Sequence, residues 1–231
     1  MKKLYLVFIC LVLIPLSELS AQSVDLLYQG NGYTAPLYKG ASLWPKQGLM
    51  TVLAVPQGLG NPATLDYIWI KNGTVLGGEG GASGVGKNSL KFSDTLFSKP
   101  VTIRVEIVSA NDELLAENTL VLTPQDPFVA VYENHPLYGF MFHREVSGIF
   151  NLEDKEVTFD AFPFFFDTAS RLSQSLSYRW STNIGESQSG PSVTYRTPEE
   201  GGGSSSVSIT VAAPEKILPA VSESFLVQFG E

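Results

Sequence analysis

The sequence predicts an all-β protein made of two antiparallel β-sandwiches in tandem, and three observations predict it. The same signposts pass twice along the chain, in the same order, about a hundred residues apart. Short runs rich in Val, Ile, Thr, Phe and Tyr alternate with polar residues at a period of two, and Gly, Pro, Asn and Asp punctuate them. No stretch between the repeated segments carries a helical period.

The chain opens MKKLYLVFICLVLIPLSELSAQS, which reads as a secretory signal peptide over residues 1–23. Lys2 and Lys3 precede an apolar run from Leu4 to Leu16 that is too short to span a bilayer, and Ala21 and Ser23 supply the small residues that cleavage needs. The expectation is an exported protein, periplasmic, cell-surface or extracellular, with no membrane anchor of its own after the leader is cleaved. Cys10 is the single cysteine and lies in the leader. The mature chain therefore has no disulfide, no thiol chemistry and no cysteine-ligated metal, and its stability must come from sizeable cores. A formal net charge of −8 argues against nucleic acid as a partner.

The first copy occupies residues 24–123 and the second 128–231, with a short linker at 124–127 inside the stiff segment TPQDP. Pro36-Leu37-Tyr38 returns as Pro136-Leu137-Tyr138, MTVLAVP from Met50 as VTFDAFP from Val157, and LDYIW as LSYRW. SLKF from Ser89 returns as SVTY from Ser192, VTIRV as VSITV, and AENTLV from Ala116 as SESFLV from Ser222. Asn72-Gly73 after IWIK signals a type I′ hairpin. Six or seven such strands in about a hundred residues make a β-sandwich.

In LDYIWIK, Leu65, Tyr67 and Trp69 share one face, as Leu176, Tyr178 and Trp180 do in the second copy. A Trp on the third strand, packed against the opposite sheet, is a hallmark of immunoglobulin-like sandwiches. Trp69, Trp180, Tyr67 and Tyr178 are therefore assigned to the structural core, in preference to an exposed sugar platform.

YIWIKNG and YRWSTN resemble the central strand of PKD-type immunoglobulin-like modules, and VTIRVEIVSANDELLAENTLVL resembles their closing hairpin. KNG and TNIG stand where such modules commonly carry a Gly-Asp-Gly turn. The order of YENHPLYG, LSYRW and VSITV further resembles an uncharacterised family of exported two-module proteins from bacteria with reduced genomes. The resemblance implies a surface, adhesion or envelope-assembly role and carries over no catalytic residue.

Motifs for chemistry are sparse. GASGVGKNS, from Gly81 to Ser89, comes within one residue of a phosphate-binding loop, but Asn88 stands where the magnesium hydroxyl belongs and an alternating, strand-like run follows in place of a helix. The second copy replaces this loop with GESQSGP, so it reads as a connector and no nucleotide is expected. His135 and His143 are the only histidines, and their spacing matches no compact metal motif. No GxSxG and no DxDxDG pattern occurs. No catalytic residue, cofactor or metal is assigned, and the chain is expected not to be an enzyme.

Two features are left as candidate contacts for a partner. Tyr38 and Tyr138 of the two Pro-Leu-Tyr segments either pack under their sandwiches or stack on a peptide or glycan. In EVTFDAFPFFFD the alternation sends Val157, Phe159 and Ala161 inward and Glu156, Thr158 and Asp160 to solvent, which carries Phe162, Phe164 and Phe166 outward. Either a bulge at Pro163 turns some of them back, or they pack on the first sandwich or meet a partner. The expected function is a non-enzymatic exported binding or structural module of the bacterial envelope, with a protein partner. A carbohydrate-binding module, with an exposed aromatic platform, and a periplasmic chaperone, which lends a strand to its client, are the alternatives.

Overall fold

The computed structural model describes residues 22–230 apart from positions 37, 96, 98, 184, 186, 200, 218 and 219. Residues 1–21 of the expected leader, and Leu37 of the first Pro-Leu-Tyr segment, lie outside the described residues, while Ser23, the last residue assigned to the leader, opens the first strand. The chain is all-β, with no α-helix among the described residues and one 3-10 turn at Pro62–Thr64.

The first half contributes β1 (Ser23–Gly30), β2 (Leu49–Gln57), β3 (Asp66–Lys71), β4 (Thr74–Val75), β5 (Gly84–Val85), β6 (Ser89–Ser93), β7 (Val101–Val108) and β8 (Leu114–Leu122). The second contributes β9 (Phe128–His135), β10 (Gly139–Glu145), β11 (Gly148–Leu152), β12 (Glu156–Phe164), β13 (Ser177–Thr182), β14 (Gln188–Ser189), β15 (Ser192–Arg196), β16 (Gly203–Ala212) and β17 (Val221–Phe229). A sheet ordered β1-β2-β6 faces one ordered β4-β3-β7-β8, with β5 also on β3, and a sheet ordered β10-β9-β12-β15 faces β11-β17-β16-β13-β14. These are tandem immunoglobulin-like sandwiches. Each encloses its own core: Val24, Met50, Val52 and Leu90 meet Trp69, Ile103 and Val105, while Val131, Phe159 and Val193 meet Trp180, Val207 and Ile209.

The repeat is visible in hydrogen bonds as well as strands. Trp69 lies opposite Val105 and Trp180 opposite Ile209. Each indole N–H donates to a carbonyl just before the strand equivalent to β6, Lys87 at 2.8 Å and Gly190 at 2.9 Å. Ala54 N donates to Asn88 O, and Ala161 N donates to Pro191 O. The near phosphate-binding loop thus serves as the carbonyl cap of a buried indole. Its Lys87 donates back to Gly81 O of the same loop, and β6 follows it where a phosphate site would need a helix. Asn72 and Gly73 both have positive φ, as a type I′ turn requires.

In the last strand the pairing corrects the sequence match by one residue. Ala116 lies opposite Ile107, itself opposite Tyr67, and Val221 lies opposite Val211, itself opposite Tyr178. Ala116 therefore corresponds to Val221 and not to Ser222. A slip of one residue exchanges the faces of a strand, so packing decides what letter similarity could not.

Among the described residues one strand pair runs parallel. β11 lies beside β17, from Gly148 opposite Phe225 to Leu152 opposite Phe229. The first sandwich has the same feature reduced to the single parallel bridge between Pro45 and Gln125. That bridge ties the TPQDP segment to the first sandwich, and Lys46 adds an ion pair to Asp126 at 2.5 Å.

Candidate functional site

The segment after β1 leaves the first sandwich and meets the second. Tyr33 N donates to Phe166 O at 3.1 Å, and Asn31 Nδ2 donates to Asp167 Oδ1 at 3.1 Å. From the loop before β17, Lys216 Nζ donates to Asp167 Oδ2 at 2.8 Å and to Gln47 O at 3.3 Å. Two non-glycine residues here, Gln47 and Phe165, hold positive φ, at 57° and 58°. Bulky residues adopt that region only when the surroundings hold them there.

Along this seam lies an apolar groove of about 260 Å³, lined by Tyr33, Ala35, Tyr38 and Leu43 from the first half and Phe164 and Phe165 from the second. The Tyr33 and Phe164 rings lie 5.9 Å apart, and Phe128 extends the aromatic surface with centroids 5.2 Å from Phe164 and 5.6 Å from Phe165. Tyr38, Leu43 and Phe128 are 56%, 40% and 43% exposed. The Tyr38 hydroxyl donates to Ala41 O. Both halves of the chain are needed to make this surface.

The three phenylalanines picked out by alternation end in three different places. Phe162 lies outside the sandwich core cluster, yet it is fully buried, because aromatic rings from β9 and the irregular edge strand β10 of the same sheet cover it. Phe140, Phe142 and Tyr132 enclose it with edge-on rings at 5.2 to 5.5 Å. Phe166 is fully buried in the sandwich core, because β12 ends at Phe164 and the positive φ of Phe165 breaks the alternation. Only Phe164 reaches the groove. The expected outward patch of three is corrected accordingly: Phe162 and Phe166 have no surface to offer a partner.

Asp160, expected in solvent, is buried under the same cover. It accepts from Arg171 Nη1 at 2.5 Å and from Asn134 Nδ2 at 3.1 Å, and the Arg171 guanidinium lies over the Phe140 and Phe162 rings. A buried carboxylate needs such partners.

Tyr138 is exposed at the turn between β9 and β10, stacked on His135 at 4.7 Å, and does not line the groove. Trp69, Tyr67, Trp180 and Tyr178 all lie in the two cores. The Tyr178 hydroxyl donates to Arg171 O at 2.7 Å, and burial pushes its pKa well up. Tyr33, Leu43 and Phe128 escape a reading by strand period because they sit in loops and at a strand start; for Tyr33 and Leu43 the one signal is a cluster of apolar residues in NGYTAPLYKGASLWPK with no alternating partner.

For chemistry, the histidines remain apart. His135 Nδ1 accepts from Leu137 N, and His143 is exposed on β10. Among the described residues no group of three or more His, Cys, Asp or Glu could hold a metal ion. No helix among them is long and apolar enough to cross a membrane.

No family model matches the chain, and no curated protein sequence matches it. Solved structures do. The fibronectin(III)-like modules of Clostridium thermocellum CbhA are similar at 10% identity and a TM-score of 0.31, covering 88% of this chain and 94% of that one. The FN1-FN3 domains of chicken CNTN1 are similar at 10% identity and a TM-score of 0.30, covering 89% and 68%. CfaE, the adhesive subunit of CFA/I fimbria of enterotoxigenic Escherichia coli, is similar at 9% identity and a TM-score of 0.27, covering 92% and 88%. At these identities and scores the likeness carries nothing about function.

Proposed function

We propose that the chain is a non-enzymatic exported binding or structural module of the bacterial envelope or cell surface, whose two sandwiches act as one unit and take a protein partner along their seam. The observation that carries this reading is the groove, where Tyr38, Leu43 and Phe128 stay exposed beside Phe164. Leaving a large apolar side chain in water costs about 1.5 to 3 kcal/mol, so a cluster of them marks a contact surface. The resemblance of the repeated motifs to exported two-module proteins supports the compartment. Sandwich folds host many functions, so the reading rests on the surface and not on the fold.

The test places a photo-crosslinking residue at Leu43 and, as a control, at Val85, which is more exposed than Leu43 but lies on β5 away from the seam. Irradiation in the native cell, followed by mass spectrometry, should give a protein adduct from position 43 and none from 85. Equal adducts from both positions, or none from 43, would refute the seam as the contact surface. A glycan array positive for the wild type and negative for Tyr38→Ser would move the reading to a carbohydrate module.

A further inference from the structure

The two sandwiches differ at one end, and the ladders show how. Leu122 is opposite Val101 and Ile103 is opposite Leu120 in the first; Val227 is opposite Ser205 and Val207 is opposite Phe225 in the second. Because Lys71 faces Ile103 and Thr182 faces Val207, each two residues beyond its Trp, Ile103 corresponds to Val207 and Leu122 to Val227. The parallel pairings then align Trp44, which precedes Pro45 opposite Gln125, with Leu152 opposite Phe229. Met50 pairs with Phe92, and Val157 with Tyr195, so Phe92 corresponds to Tyr195.

In the first sandwich Trp44 closes this end. Its side chain is 1% exposed and packs edge-on to Phe92 at 5.2 Å, and its Nε1 donates to Gly48 O. In the second sandwich a leucine stands in its place, and the same position is an opening between the sheets of about 240 Å³. Leu152, Tyr195, Val207, Val227 and Phe229 form its walls, with Arg196 at its mouth. Tyr195 is the counterpart of Phe92, which meets the Trp44 indole, and Val207 and Val227 are the counterparts of Ile103 and Leu122 in the same core cluster. The opening is smaller than the roughly 300 to 1,000 Å³ of pockets that hold drug-sized molecules, which fits a molecule of one or two rings.

We propose that this open end of the second sandwich is a binding pocket for a small free aromatic molecule of indole size, the group that the first sandwich supplies to itself. Aromatic rings meet Tyr195 and Phe229 edge-on or offset, as Trp44 meets Phe92, and the aliphatic walls exclude water from the ring faces. The site is independent of the seam groove.

The test titrates indole into the full mature chain carrying labelled Ile, Leu and Val methyl groups. The methyl signals of Leu152, Val207 and Val227 should shift in a saturable way, while those of Val52 and Val105 in the first core stay still. Leu152→Trp fills the opening from within, so it should abolish the shifts and raise the melting temperature. The reciprocal Trp44→Leu should open a matching pocket in the first sandwich and create new indole-dependent shifts at Ile103 and Leu122. No saturable shift at Leu152, Val207 and Val227 in the wild type overturns the proposal, whether or not the variants fold. Undiminished shifts in a folded Leu152→Trp chain overturn it equally. Shifts from a tryptophan-containing peptide but not from free indole would also overturn it, and would assign the pocket to a partner's side chain.

Discussion

Lys216 Nζ lies 2.8 Å from Asp167 Oδ2, and the same ammonium reaches Gln47 O, so one cation from the loop before the final strand joins both halves of the chain. Asp167 also accepts from Asn31. The pair is partly exposed, which limits its worth to about 1 kcal/mol or less. Lys216→Met should therefore leave both sandwiches folded while speeding proteolytic cleavage within TPQDP several-fold. Unchanged cleavage would show that the seam is held by Tyr33, Phe164 and Phe166 alone.

The two indoles at the sandwich centres are fully buried and hydrogen-bonded. Trp69→Ala or Trp180→Ala should each cost about 3 to 5 kcal/mol, a large part of the stability of an ordinary domain. Denaturant unfolding followed by hydrogen exchange should locate each loss in the sandwich that holds the mutated residue. We propose on the same ground that residues 22–126 and 128–231 fold as separate all-β domains; circular dichroism of the two pieces checks this.

Arg171, itself partly buried, pairs with the fully buried Asp160 beside the Phe140 and Phe162 rings. Removing one partner strands the other charge, so Arg171→Met should cost about 3 to 5 kcal/mol. Asp160→Leu combined with Arg171→Met should recover most of that loss, because apolar replacement of a buried pair is often neutral. A double mutant no better than the single would mean that the pair positions β10 in a way packing cannot replace.

Burial raises the pKa of Tyr33, Tyr67, Tyr132, Tyr178 and Tyr195 above the ordinary value. Unfolded tyrosine loses its proton near about pH 10, so above that pH the unfolded chain binds fewer protons than the folded one. The stability these hydroxyls contribute is thus complete below about pH 10 and falls as pH rises further. Tyrosinate absorbance of these five should appear together with loss of the β-sheet dichroism. Their titration ahead of unfolding would contradict the burial.

Much of the fold was legible because strands advertise themselves by period and the repeat supplies an internal check: MTVLAVP and VTFDAFP are β2 and β12, and the two Trp strands are β3 and β13. What stayed hidden depends on contacts that period cannot encode. Asp160 and Phe162 lie on the outward face, as alternation says, but GFMFHRE becomes an irregular edge strand whose Phe140 and Phe142 rings cover Phe162. Phe166 turns inward through a backbone conformation at Phe165 that no side-chain pattern marks. Trp44 has no repeat partner to mark it, because its counterpart is a leucine, and the groove is assembled from residues over a hundred positions apart.

The parallel pairing also bears on what happens if the chain is pulled by its two ends. Once β9 and β10 have been drawn off, a pull on the second sandwich drags β11 and β17 lengthwise past each other, so the rungs from Gly148–Phe225 to Leu152–Phe229 carry the load together in shear. The first sandwich opposes the same pull with the lone Pro45–Gln125 bridge, whose two backbone bonds give way almost singly. Under tension the tandem is a graded spring, in which the first sandwich yields and the second holds.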